Sequence, residues 1–205
     1  VDCMHFLSPL TALAPLGVYL FFLGIINLSS KTRVLTGRQD FIALSLGISG
    51  LIIIGPMQVF LPQAGMIRFG NNVWYPMAIL YLFGTTWLLL LNRPRLILYN
   101  LGQDKFSALM ESVVERKKWS VRWHGNILQI NEIEIQFEIL PSVSMKNITL
   151  RATYSEQSSA GWRILREVLR TELQSQHSKF NGFGFLLITC GLIIVVVGWA
   201  WTSLV

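Results

Sequence analysis

Residues 183–204 read FGFLLITCGLIIVVVGWAWTSL, 22 positions without an aspartate, glutamate, lysine or arginine. A run of about 20 apolar residues is what a helix needs to cross the hydrocarbon of a bilayer, so the stretch reads as a transmembrane helix. Three more runs meet the same length rule: Leu10–Leu28, Phe41–Leu61 and Val73–Leu91. None carries a formal charge, and a charge at the bilayer centre costs at least about 2.5–3.5 kcal/mol on insertion scales. Of the 205 residues, 52% are hydrophobic and 14% charged, against about 25% charged in an ordinary soluble domain. Most of the charges fall between Arg93 and Lys179. The expected fold is membrane α-helical: four transmembrane helices with a small α+β domain inserted between the third and the fourth. The expected divisions are residues 1–92 for the first three spans, 93–179 for the domain and 180–205 for the last span.

Lysine and arginine give the expected helices a direction. The loop Ser29–Asp40 holds Lys31, Arg33 and Arg38, the loop Pro62–Asn72 holds Arg68 alone, and the connection after the third run holds the remaining 13 of 17. The positive-inside rule then places the first loop and the inserted domain in the cytoplasm, with both termini outside. Trp74, Tyr75, Trp199 and Trp201 fall at the opposite interface, where amphipathic rings prefer to sit. The expected location is a bacterial inner membrane, crossed several times. Leu10–Leu28 lacks the basic flank and small-residue cleavage site of a secretory signal and reads as a retained helix. The chain begins at Val1, which leaves an alternative start or a trimmed end open.

Residues 93–179 alternate between strand and helix signals. Arg95–Tyr99 is a short β-branched and aromatic run. Phe106, Leu109, Met110, Val113 and Val114 recur at helical spacing. Ser120–Trp123 and Ile127–Ile130 flank His124-Gly125-Asn126, a hairpin turn signal. Glu132–Ile139 alternates strictly, with Ile133, Ile135, Phe137 and Ile139 on one side and Glu132, Glu134, Gln136 and Glu138 on the other, the signature of a half-buried strand. Ile148–Tyr154 offers another strand, and Trp162, Leu165, Leu169 and Leu173 form a stripe along Ala160–Gln176. The expected order is βαβββα, with two helices on one face of a mainly antiparallel sheet.

APLGVYLFFLGIINL (14–28), the basic loop up to RQD (38–40), LIIIGP (51–56), RPRLILYN (93–100) and AGWRILREVLR (160–170) resemble a group of uncharacterised bacterial membrane proteins of planctomycete type. The resemblance runs over most of the chain and contains no diagnostic motif. It implies bacterial origin and inner-membrane location, and it carries no function.

Catalytic chemistry finds little support. The three histidines, His5, His124 and His177, have no spacing that would share a metal, and the two cysteines, Cys3 and Cys190, stand at opposite ends. No phosphate loop, nucleophile elbow or dinucleotide fingerprint occurs. No cofactor and no catalytic or metal-ligating residue is expected. Pro56, after Gly55, should kink its helix and free a carbonyl, so Pro56 and Gln58 are the candidate intramembrane polar site, with an ordinary kink as the plainer reading. Gly184, Gly191 and Gly198 recur every seven residues on the fourth run, and Gly17 and Gly24 repeat that spacing on the first. Small residues let helix backbones approach closely, which marks these five as helix-packing positions, within the chain or between chains. Arg116, Lys117 and Lys118 close the domain's first helix, where cations complement the helix dipole; contact with lipid headgroups ranks next. Nucleic acid ranks last, because the domain carries 13 basic against 9 acidic residues and no RNA-binding signature.

The function these features suggest is a non-enzymatic scaffold, regulatory or accessory subunit whose domain binds a partner. The expected partners are the lipid bilayer and another protein or a second copy of the chain. A small oligomeric channel or carrier is the alternative, and an enzyme acting on lipid headgroups ranks below it.

Overall fold

The computed structural model describes residues 9–60, 67–68, 70–142, 146–174 and 182–204. Its contacts divide the chain into two units. One draws on Val1–Ile25, Phe41–Asn92 and Phe185–Val205, the other on Ile26–Asp40 and Arg93–Gly184.

The second unit is α+β. Its strands are β1 (Arg33–Thr36), β2 (Arg95–Tyr99), β3 (Val121–His124), β4 (Ile127–Ile130), β5 (Ile135–Ser142) and β6 (Asn147–Ala152). They form one antiparallel sheet in the order β1-β2-β6-β5-β4-β3. The alternation along β5 sends Ile135, Phe137 and Ile139 to one face, where all three are buried. Leu96, Leu98, Leu128, Ile130, Ile148 and Leu150 join them. The long helices Gln103–Lys117 and Ser159–Leu173 cover that face with their apolar stripes: Phe106, Leu109, Met110 and Val113 from the first, Trp162, Leu165, Leu169 and Leu173 from the second. The Arg116 guanidinium bridges the two helices, donating to both carboxylate oxygens of Glu172 at 2.6 and 3.0 Å.

Local chemistry sets the boundaries. The β3–β4 hairpin closes through Gly125-Asn126, with Gly125 at φ +62°, a conformation that glycine adopts without steric cost. Residues 131–134 form a turn, not the start of a strand, so β5 begins three residues later than the alternation predicts. Glu132 folds back there to accept from the Ser120 N–H and the Ser120 hydroxyl, both at 2.6 Å. Those two bonds stabilise the ionised carboxylate and lower its pKa from the ordinary glutamate value. A group depressed in the folded state contributes stability that is present above its unfolded pKa and disappears as pH falls through its folded pKa. Ser120→Ala should therefore raise the Glu132 titration midpoint toward the ordinary glutamate range and shrink the acid-side loss of stability. Carboxyl carbon NMR across an acid titration would measure the first, and an unmoved midpoint would refute the account.

The helical unit holds the greater parts of α1 (Pro9–Leu28) and α2 (Gly37–Phe60), with α3 (Trp74–Leu91) and nearly all of the final helix, Phe183–Leu204. With the two helices of the sheet unit counted in chain order, Gln103–Lys117 is α4, Ser159–Leu173 is α5 and Phe183–Leu204 is α6. A 3-10 turn, Gly70–Val73, leads into α3. The Tyr81 hydroxyl donates to the Ser45 carbonyl between α3 and α2. Large apolar side chains, Phe22, Leu80, Phe83 and Trp199 among them, stay exposed.

Several expectations need correction. The four-span membrane fold does not stand: among the described residues one helix, through its window Phe183–Ala200 with mean hydropathy 2.5, is long and apolar enough to cross a bilayer. The apolar portions of α1 and α3 are Ala12–Leu28 and Ala78–Leu91. At about 1.5 Å per residue these reach roughly 25 and 21 Å, against a hydrocarbon core of about 30 Å. An uncharged run counts residues, whereas a span needs apolar helix length, and Val73 belongs to the 3-10 turn. The multi-pass inner-membrane location falls with the spans that carried it. Its inside-positive loop holds a strand: Arg33–Thr36 is β1, paired with β2 in the register Arg33↔Tyr99 to Thr36↔Leu96. The order βαβββα also falls short: the four runs named between the two helices are all strands, one more than that order allows, and β1 adds a sixth to the sheet.

Candidate functional site: a cationic cleft beside the edge strand

Two sets of contacts tie the segment 29–40 to the end of β2, and a capping box inside the segment fixes its turn into α2. Asn100, buried at φ +59° directly after β2, donates from Nδ2 to the carbonyls of Ile26 and Ser29, both at 2.8 Å. Asparagine tolerates that left-handed backbone better than most residues, and its amide serves carbonyls at the end of α1 that have no helical partner. Asp40, in the first turn of α2, accepts from the Tyr99 hydroxyl at 2.8 Å and pairs with Arg95 at 3.6 Å. Thr36 and Gln39 form a reciprocal capping box at the start of α2: Gln39 N–H donates to Thr36 Oγ1 at 3.3 Å and Thr36 N–H to Gln39 Oε1 at 3.1 Å.

The segment so held forms one wall of a cleft of about 550 Å³. Lys31, Thr32, Arg33, Val34, Leu35 and Gln39 supply that wall, and Arg166, Arg170, Leu173 and Gln174 supply the wall from α5. Four of these ten residues are cations, and no aspartate, glutamate, histidine or cysteine is among them. None of the four appears in an ion pair among the described residues, whose pairs are Arg95–Asp40, Arg116–Glu172 and Arg151–Glu138. The Nε of Arg166 is buried without a hydrogen-bond partner there. A buried donor left unpaired costs about 1–3 kcal/mol. Among the described residues the cleft thus presents four cations and an unmet donor beside three buried or half-buried apolar residues, Val34, Leu35 and Leu173. Such a lining offers several charge-assisted donors to an anion.

The residues singled out from the sequence lie elsewhere. Gly17 and Gly191 face each other inside the helical unit: a Cβ on Gly191 would stand 2.7 Å from the Gly17 carbonyl oxygen, and one on Gly17 would stand 3.0 Å from that of Gly191. Gly198 lies against Leu10, where a Cβ would meet its Cα at 3.2 Å. These three pack helix on helix within one chain; Gly24 and Gly184 are buried as well. Pro56 and Gln58 belong to α2 by backbone, and their side chains lie outside the described ones. Arg116 is committed to Glu172, and Lys118 takes the left-handed position (φ +55°) that ends α4. His124 is exposed on β3 and Cys190 on α6, while Cys3, His5 and His177 lie outside the described residues. A second hollow of about 170 Å³, between α2 and α3, is lined mainly by apolar side chains with Ser45, Tyr81, Thr85 and Thr86. Among the described residues no group of three or more His, Cys, Asp or Glu is placed to hold a metal.

Sequence reasoning missed the cleft because its walls are more than a hundred positions apart. One signal was present: Arg163, Arg166 and Arg170 crowd the polar side of the α5 stripe with Glu167 as the acid among them. Comparison with known proteins adds no assignment: no protein-family model, curated protein or solved structure matches the chain.

Proposed function

We propose that this protein is a non-enzymatic binding protein, a scaffold, regulatory or accessory subunit, whose α+β unit holds an anionic partner in the cleft between β1 and α5. The observation that carries the reading is the concentration of Lys31, Arg33, Arg166 and Arg170 around one cleft with no acidic residue among its described lining. Like charges gathered at this density repel one another, and an anion relieves that repulsion while accepting charge-assisted hydrogen bonds. The rigid mounting of the segment 29–40 favours binding too, because preorganised donors lose less freedom when a ligand arrives.

Fluorescein-labelled polyglutamate, inorganic phosphate and anionic vesicles are suitable probes. At least one should bind, more weakly as salt rises, and Arg166→Ala/Arg170→Ala should weaken it by about ten-fold or more, since each charge-assisted contact contributes on the order of 1 kcal/mol. The double variant should keep its far-ultraviolet spectrum and melting temperature, because both side chains face the cleft rather than the core. Failure of all three probes, or equal binding by the double variant, would remove the reading.

A further inference from the structure

Arg166, Arg170 and Leu173 follow at spacings of four and three on α5, which puts all three on one face of the helix. Val34 pairs opposite Leu98 and turns with it to the helix-covered side of the sheet. Val34 and Leu173 both pack into the core. The two guanidinium side chains therefore stand where the apolar core comes to the surface. Arg33 and Leu35 alternate to the other side of β1, so they border the cleft rather than floor it. Among the described residues no acid neutralises this group. Of the chain's 11 acidic residues all but Asp2 are described, and none of those lines the cleft. The sequence that follows Gln174, SQHSKFN (175–181), contains neither aspartate nor glutamate and one further lysine, Lys179.

A carboxylate has two oxygens in one plane, and a single guanidinium fork occupies both. Side chains four apart on a helix are neighbours, with Cβ atoms about 5–6 Å apart, so Arg166 and Arg170 offer two forks to one site. A phosphate monoester suits two forks, because it has three acceptor oxygens and carries about −1.5 to −2 charges near pH 7. The unpartnered Nε of Arg166 belongs to one of these forks. Val34 and Leu173 supply what bare phosphate would leave unused, an apolar surface for an organic group. The volume of about 550 Å³ falls within the range of about 300–1,000 Å³ found for small-molecule sites. The described lining holds no aromatic ring on which a nucleobase would stack. We infer that the cleft binds a small phosphate monoester, its phosphate on Arg166 and Arg170 and its organic part on Val34 and Leu173. Lys31 and Arg33 add charge from the rim. The inference rests on the anion-binding reading above and narrows it to one class of anion. A soluble ester and a phosphatidate headgroup share this chemistry.

Calorimetric titration of the whole chain with phenyl phosphate, benzoate and inorganic phosphate tests this. Phenyl phosphate should bind about ten-fold or more tighter than either of the others. Benzoate has the ring without the third oxygen and second charge, and inorganic phosphate has the oxygens without the ring. Arg166→Lys/Arg170→Lys keeps both charges and removes both forks. It should weaken phenyl phosphate about ten-fold or more and change polyglutamate binding less than about three-fold. Equal affinity for phenyl phosphate and benzoate on the unaltered chain would overturn the phosphate site while leaving an anion-binding cleft. So would an unchanged phenyl phosphate affinity in the lysine variant. Equal affinity for inorganic phosphate would overturn the ester. Sedimentation with phosphatidylcholine vesicles containing phosphatidate separates the two sources. Sedimentation that the lysine variant loses identifies a lipid headgroup, and phenyl phosphate binding without sedimentation identifies a soluble ester. If no probe binds, polyglutamate included, both readings fail together.

Discussion

Gly161→Ala is expected to destabilise the α+β unit by about 3 kcal/mol, the upper end of the cost of overpacking a tight site. In an ordinary helix the substitution would help, because alanine is the better helix former by about 1 kcal/mol. Here the position sets the sign. A Cβ on Gly161 would stand 2.0 Å from the Ile133 carbonyl oxygen and 2.8 Å from Ile135 Cγ2. The first of these is backbone, in a turn whose next residue, Glu134, is already held at φ +52°, so it has little room to retreat. The Gly161 N–H is also tied, donating to the Ser158 hydroxyl oxygen at 3.1 Å in the N-cap of α5. Relief would mean lifting the first turn of α5 and disturbing Trp162, whose Nε1–H donates to Gln157 at 3.0 Å. Urea unfolding followed by tryptophan fluorescence should show a lower midpoint with an unchanged slope. A midpoint equal to or above that of the parent chain would show that the turn yields and that the close approach is not a constraint.

Asn100→Ala should cost about 2–4 kcal/mol and, unlike Gly161→Ala, should act first on the segment that builds the cleft. Two costs add. Alanine at φ +59° bears a steric strain of about 1 kcal/mol that asparagine carries more easily. The carbonyls of Ile26 and Ser29 lose a buried donor, and an unmet buried polar group costs about 1–3 kcal/mol. Asn100→Gly separates the two contributions, because glycine accepts the backbone conformation but restores no amide. The glycine variant should recover only the smaller part of the loss. Hydrogen exchange at residues 29–36 would report the local effect, with protection lost there before it is lost in β4 and β5. If alanine and glycine leave that protection unchanged, the amide of Asn100 does not hold the segment.

The helix stripes and strand alternation of the sheet unit could be read from the residues. Phe106, Leu109, Met110 and Val113, then Trp162, Leu165, Leu169 and Leu173, are buried at the spacing their periodicity prescribes. Ile133, Ile135, Phe137 and Ile139 are buried likewise, although the first of them sits in a turn. Periodicity records which side of an element faces inward; it does not record where the element begins. That is why Glu132 and Glu134 read as strand positions, when one folds back to Ser120 and the other takes a left-handed backbone.

The four uncharged runs show the opposite lesson. Their lack of charge is a property of composition, and composition alone suggested four spans. Among the described residues one helix meets the requirement for length and hydropathy, since helix ends, the 3-10 turn and weakly apolar residues shorten what a residue count lengthens. The basic loop that oriented those spans turned out to hold an edge strand, because Arg33–Thr36 found a pairing partner more than sixty positions away in Arg95–Tyr99. By itself the sequence determined the inward faces of two helices and of the strands between them, because a local period and a buried face are the same physical fact. Tertiary structure alone decided that residues 31–35 and 166–174 share a cleft. Pairing across such separations depends on which edge remains open once the sheet has assembled, and no local pattern encodes that.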